Sequence, residues 1–183
     1  MNMVSKILLT ATLLQAPTPT VKTLVDNERV TVRDVTRPAA EPFDTVLVSL
    51  SGSAEFFSKG TSPNIAGRSI LILLKDHPIA PIENTTGYPL AFPRPGSKKI
   101  LENARVVVWD YTWSTGVATP MHFHDKDVVV IYLDDGDLQS TSLDGTVAVN
   151  PHTAGSVTFN RRDRTHTETL IRGKQHAIIT ELK

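Results

Sequence analysis

The chain contains no cysteine. Disulfides, zinc ribbons, iron–sulfur clusters and thiol nucleophiles are thereby excluded, and any metal must be held by His, Asp or Glu. It also has no excess of charge: 19 Lys plus Arg stand against 19 Asp plus Glu. This balance argues against a broad basic surface for nucleic acid, and no polybasic run or acidic tail offers a membrane patch. No stretch approaches the ~20 consecutive apolar residues that a membrane-spanning helix needs. Beyond the first residues, no long segment repeats its apolar side chains with the 3.6-residue period of a helix. Histidine is scarce as well, and His77 is the only one before His122.

What is present is a chain of 183 residues, 40% hydrophobic. That suffices for a buried core and for one domain or two small fused halves. At the amino terminus, Lys6 precedes an apolar run from Ile7 to Leu14, and Ala16 stands before a Pro/Thr stretch. The pattern fits a short secretory signal peptide, or equally an arm that packs on the domain. The first reading places the protein in the periplasm or outside the cell, the second in the cytoplasm.

Three segments recur in order. Val25-Asp-Asn-Glu-Arg-Val-Thr-Val-Arg-Asp-Val-Thr36 parallels Leu101-Glu-Asn-Ala-Arg-Val-Val-Val-Trp-Asp-Tyr-Thr112. The run from Phe43 to Gly52 parallels Asp127 to Gly136, and Ala66-Gly67-Arg-Ser-Ile parallels Ala154-Gly155-Ser-Val-Thr. The segments alternate apolar and polar residues or form β-branched runs closed by turn residues, as strands do. Leu143-Asp-Gly-Thr-Val reads as a hairpin turn, His176 to Leu182 as a last strand, and the prolines of 76–97 as loops. The class is all-β, with many short strands and two related halves of the same topology joined about a pseudo-twofold axis.

Chemistry concentrates after residue 115. In a strand, residues two apart face one side, so His122 and His124 present two imidazoles to one point. Imidazole nitrogen suits first-row divalent metals. A second patch, Gly155 to Glu168, carries His166 on a strand able to return beside the pair. His77 and His152, in Pro-containing loops, read as solvated, and His176 as a packed strand residue. Arg161, Arg162 and Arg164 read either as holders of an anionic group or as a solvated strand end. Trp109, Tyr111 and Trp113 alternate on one strand face and read as barrel core or as the mouth of a pocket. Met121 reads as a barrel filler.

These residues resemble a known family. Gly116, His122, His124 and Gly136 match the first motif of the cupins, and Gly155 and His166 match the second. The internal repeat resembles a two-domain cupin, a bicupin. The resemblance implies a cupin double-stranded β-helix, or jelly-roll barrel. Residues 98–183 would be a metal-binding half and 21–97 a degenerate half, after a leader or arm at 1–20. It implies one divalent ion (Fe, Zn, Mn, Ni or Cu) bound by His122, His124 and His166. The motif's glutamate falls at Val128 or Val129, which cannot bind metal. Water, then Asp127, then Glu168 are the candidates to complete the shell. Cupins of this kind include mononuclear-metal oxygenases and isomerases of small molecules. The same residues also serve a cupin that holds a metal or small ligand without turnover. Such a chain works as a monomeric bicupin or as a homodimer.

Overall fold

The computed structural model describes residues 20–37, 39–63 and 67–183. The signal-peptide reading of the first 19 residues, and Ala66 of the third repeat match, lie outside the described residues.

Among the described residues every regular element is a strand. Strands β1 (Val21–Asp26), β2 (Val30–Val35), β3 (Asp44–Ser49), β4 (Ala54–Phe57) and β5 (Ser69–Leu74) form one sheet, in the order β1-β2-β5-β3-β4. Strands β6 (Lys98–Glu102), β7 (Val106–Trp113), β9 (Val128–Tyr132), β12 (Val157–Asn160) and β14 (Gln175–Leu182) form a second, in the order β6-β7-β14-β9-β12. Strands β8 (His122–His124), β10 (Gly136–Ser142), β11 (Val147–His152) and β13 (Arg164–Gly173) form the third, in the order β8-β13-β10-β11. The strand pairs are antiparallel throughout. The second and third sheets face each other as a jelly-roll barrel, and the first covers the outer face of the second.

Side-chain alternation sorts the core into layers. Val129 and Ile131 of β9 point outward with Val106, Val108 and Ile178. There they meet Val30, Val32, Val46, Val48, Ile70 and Ile72 of the first sheet. Val128, Val130 and Tyr132 of the same strand point into the barrel, with Trp109, Tyr111, Trp113 and Ile179. The continuous apolar reading of β9 is therefore that of a strand covered on both faces. Each such Val or Ile contributes about 1.5–3 kcal/mol relative to exposure. Strand β5 is likewise buried along its whole length, with Leu71 and Leu73 facing a small outer cluster around Phe43 and Phe57.

The first two sheets are alike in detail. Both tip hairpins use an asparagine: Asn27 Oδ1 accepts from the backbone N–H groups of Arg29 and Val30, and Asn103 Oδ1 from those of Arg105 and Val106. The β1–β2 ladder slips between Thr23 and Val25, and the β6–β7 ladder slips at the matching place, between Lys99 and Leu101. The two arginines then cross between the sheets. Arg29 Nη1 lies 2.7 Å from Asp127 Oδ2 of β9's entry, and Arg105 Nη1 lies 3.2 Å from Asp44 Oδ2 of β3. Arg29 also donates to the carbonyl of Lys183, and Arg105 to that of Lys75. This reciprocity relates the two sheets by an approximate twofold.

Two expectations need correction. The amino-terminal half supplies one sheet, not a barrel: among the described residues it has no counterpart of β8, β10, β11 or β13. The repeat match of 66–70 with 154–158 also pairs strands that do not correspond. By position in its sheet, β5 corresponds to β14 rather than to β12, whose place is taken by β4. Register agrees, since Val30 faces Leu74 as Val106 faces Leu182.

Candidate metal centre

The barrel interior narrows onto three histidines. His122 and His124 lie on β8 and His166 on β13, directly opposite His122 in the ladder. All three are buried, and one nitrogen from each lies within 4.8 Å of those from the others. His122 Nδ1 donates to the carbonyl of Pro120 at 2.8 Å, which puts the ring's lone pair on Nε2. His124 Nε2 and His166 Nε2 are 3.2 Å apart. His166 Nδ1 lies 3.4 Å from Ser140 Oγ. His124 Nδ1 is buried without a partner among the described residues.

Burial sets the charge of this cluster. It pushes the His122 imidazole down to about 4, helped by the neighbouring Arg94. His124 is driven well below the ordinary value, by burial first and then by Arg164. His166 is lowered by burial too, although Glu168 opposes the shift. At neutral pH all three are uncharged, the form in which imidazole ligates metal. The 3.2 Å separation of the two Nε2 atoms falls in the range of about 2.9–3.4 Å for nitrogens bound 2.0–2.1 Å from one ion. That pair is spaced to share a divalent first-row ion, with a nitrogen of His122 within 4.8 Å of both.

The structure reverses the order of the two carboxylates. Asp127 sits on the outer face of the second sheet, 2% exposed, with Oδ2 on Arg29 and Oδ1 accepting from the backbone N–H of Arg162. It takes no place in the histidine cluster. Parity explains this: Asp127 shares the face of Val129, which looks away from the barrel. Glu168, two residues after His166 on the same face, has Oε1 4.0 Å from His166 Nε2. Its Oε2 accepts from Trp113 Nε1 at 3.2 Å and lies 3.5 Å from Arg94 Nη2. Burial acts to raise this carboxyl, but Arg94, His166 and His122 together hold it below the ordinary value.

Arg94 was missed by sequence reasoning. Pro89 to Ala91 run alongside β8, through Ala91 N–H to the Phe123 carbonyl and Phe123 N–H to the Pro89 carbonyl. That path carries Arg94 inward. Its guanidinium carbon lies 4.0 Å from the Tyr111 ring centroid and 4.7 Å from that of Phe92, and Nη1 is 3.3 Å from His122 Nε2. The alternating aromatics of β7 were the only hint, since their faces form a seat for a cation.

Between the third and second sheets lies a cavity of about 150 Å3 beside His124 and His166. Val128, Val130, Leu138 and Ile179 form its apolar wall, and Ser140, Asn150, Thr158 and Asn160 its polar one. His152 lies on β11 rather than in a solvated loop. It stacks on Tyr132 at 3.6 Å between ring centroids and lines the cavity. Of the three arginines near the second motif, only Arg164 lines it. Arg161 pairs with Glu28 at the surface, and Arg162 reaches the Ala80 carbonyl. His77 is exposed, and His176 pairs with Asp110 at 2.7 Å. The closing glycine of the first motif has a steric cause: a Cβ on Gly136 would collide with the Lys174 carbonyl.

No family model matches the chain, and no curated protein does. Among solved structures, a cupin domain from Bordetella pertussis is 23% identical, covering 51% of this chain and 99% of its own, at a TM-score of 0.44. A cupin 2 conserved barrel domain protein from Leptotrichia buccalis is 11% identical over 93% of both chains, at 0.48. An RmlC-like cupin with a double-stranded β-helix fold from Methanocaldococcus jannaschii is 12% identical, covering 58% of this chain and 91% of its own, at 0.41. The jelly-roll barrel is shown by this chain's own strand order, with the three histidines on β8 and β13.

Proposed function

We propose that the protein is a metal-binding cupin that holds one divalent ion through His122, His124 and His166 and presents it to a small molecule in the adjoining cavity. The observation that carries this reading is the convergence of three buried imidazoles that burial keeps neutral. Bound there, such an ion would supply Lewis acidity, or oxygen chemistry if it is Fe(II). The chain's own residues do the rest. Pro120 fixes the tautomer of His122, and Ser140 Oγ stands 3.4 Å from His166 Nδ1. Glu168 brings a carboxylate beside the ligands, and the apolar wall limits water. An oxygenase or isomerase of a small molecule is the enzyme class this arrangement suits. We read the amino-terminal sheet as the remnant of a second cupin, which makes the chain a monomeric bicupin.

A second reading is favoured by Arg94. Its Nη1 lies 3.3 Å from His122 Nε2, on the lone pair that a metal would need. In that reading the histidines, Arg94 and Glu168 form a metal-free polar cradle for a ligand, without turnover.

Elemental analysis of tag-free protein separates the two. The first reading expects one first-row metal per chain, abolished in His124→Ala while the variant keeps its β-sheet circular dichroism. Metal-free protein that takes up no ion from stoichiometric Zn(II) or anaerobic Fe(II) establishes the second.

A further inference from the structure

We infer that the barrel cavity binds a small organic monocarboxylate whose charged end is anchored by Arg164. The inference rests on reading this cavity as the ligand site, with or without the metal.

The charges around the cavity do not balance. Arg94 and Arg164 both line it, and Glu168 is the one acid among its described lining residues. The lining histidines add no negative charge, and a divalent ion would make the imbalance larger. Glu168 is already engaged by Arg94 and by Trp113. Arg164 has no such partner. Its Nε donates to the Arg161 carbonyl at 2.6 Å, and among the described residues its terminal nitrogens donate to no protein atom. On β13, Arg164, His166 and Glu168 share one inward face, and all three line the cavity.

An arginine fork with open donors matches a carboxylate in geometry and charge. The rest of the lining defines the remainder of the ligand. Val128, Val130, Leu138 and Ile179 ask for an apolar body, and the volume is several times what one water needs. An organic cation does not fit the charge, and a large polyanion does not fit the space.

The test uses the full chain, metal-free and Zn(II)-loaded, titrated by calorimetry with 2-methylpropanoate, 3-methylbutanoate and benzoate and with their amides. At least one acid should bind about 10–100-fold more tightly than its amide. Arg164→Met should lose that preference, Arg164→Lys should keep part of it, and surface Arg161→Gln should keep all of it. Thermal melts identify any variant that fails to fold, and Arg164→Lys then carries the comparison. Equal binding of acid and amide, no binding by any acid, or an undiminished preference in Arg164→Met would overturn the inference. Stoichiometric metal without carboxylate binding overturns this inference alone. Carboxylate binding by a protein that takes no metal overturns only the metal reading.

Discussion

The amino-terminal sheet and the second sheet share strand order, hairpin asparagine, ladder slip and crossed arginines, yet only one of them belongs to a site. The difference is not a few lost ligands. All three histidines sit on β8 and β13, in the third sheet, and the amino-terminal half has no counterpart of that sheet among the described residues. The shared sheet is scaffold, with central strands rich in β-branched residues that bury both faces. The three candidate ligands are carried by the four-stranded sheet laid against it.

The largest effect that separates scaffold from site should come from Asp127→Asn. The variant leaves Arg29 buried without its counter-charge, which costs about 3–5 kcal/mol. Denaturant unfolding should show that loss while metal content stays at one per chain. A fall in metal content without a fall in stability would return Asp127 to the site. Next, Glu168→Gln should weaken the metal about 10–100-fold, the usual cost of losing a carboxylate that supports ligands, and should also lower stability, because it leaves buried Arg94 without its counter-charge. Competition against a chelator measures this, and an unchanged affinity would confine Glu168 to binding Arg94 and Trp113.

Acid should act on the barrel and spare the scaffold sheet. The cluster histidines have folded values below the ordinary 6.5, with His122 at about 4, so between these values the unfolded chain binds more protons. Stability is then fully present above about 6.5 and is lost as pH falls toward 4, at about 1.4 kcal/mol per pH unit for each histidine that stays neutral when folded. Hydrogen exchange of metal-free protein at pH 5 should lose protection in β8 and β13 before β2 and β5. Loss that begins in the scaffold sheet would contradict this.

Much of this was legible in the sequence. Alternation and β-branched runs marked the strands, and the spacing of His122, His124 and His166 marked the cluster. Asp127 was misplaced because parity does not carry across the bend at Asp125 and Lys126 between β8 and β9. The match of β5 to β12 followed a shared Ala-Gly, whereas the informative pair was Leu74-Lys75 with Leu182-Lys183. Their lysine N–H groups bond the carbonyls of Arg29 and Arg105. Arg94 was hidden because its path is set by pairing of the preceding residues with β8, a contact between distant segments that no local pattern encodes.

The covering of the second sheet by the first has a further consequence. An apolar face buried by a partner chain is buried only above the concentration at which the partners meet. Here the partner is tethered, and the 23 residues from Lys75 to Ser97 join the two sheets. Their meeting is therefore governed by a fixed local concentration rather than by how much protein is present. The pairing of these two sheets should be indifferent to dilution.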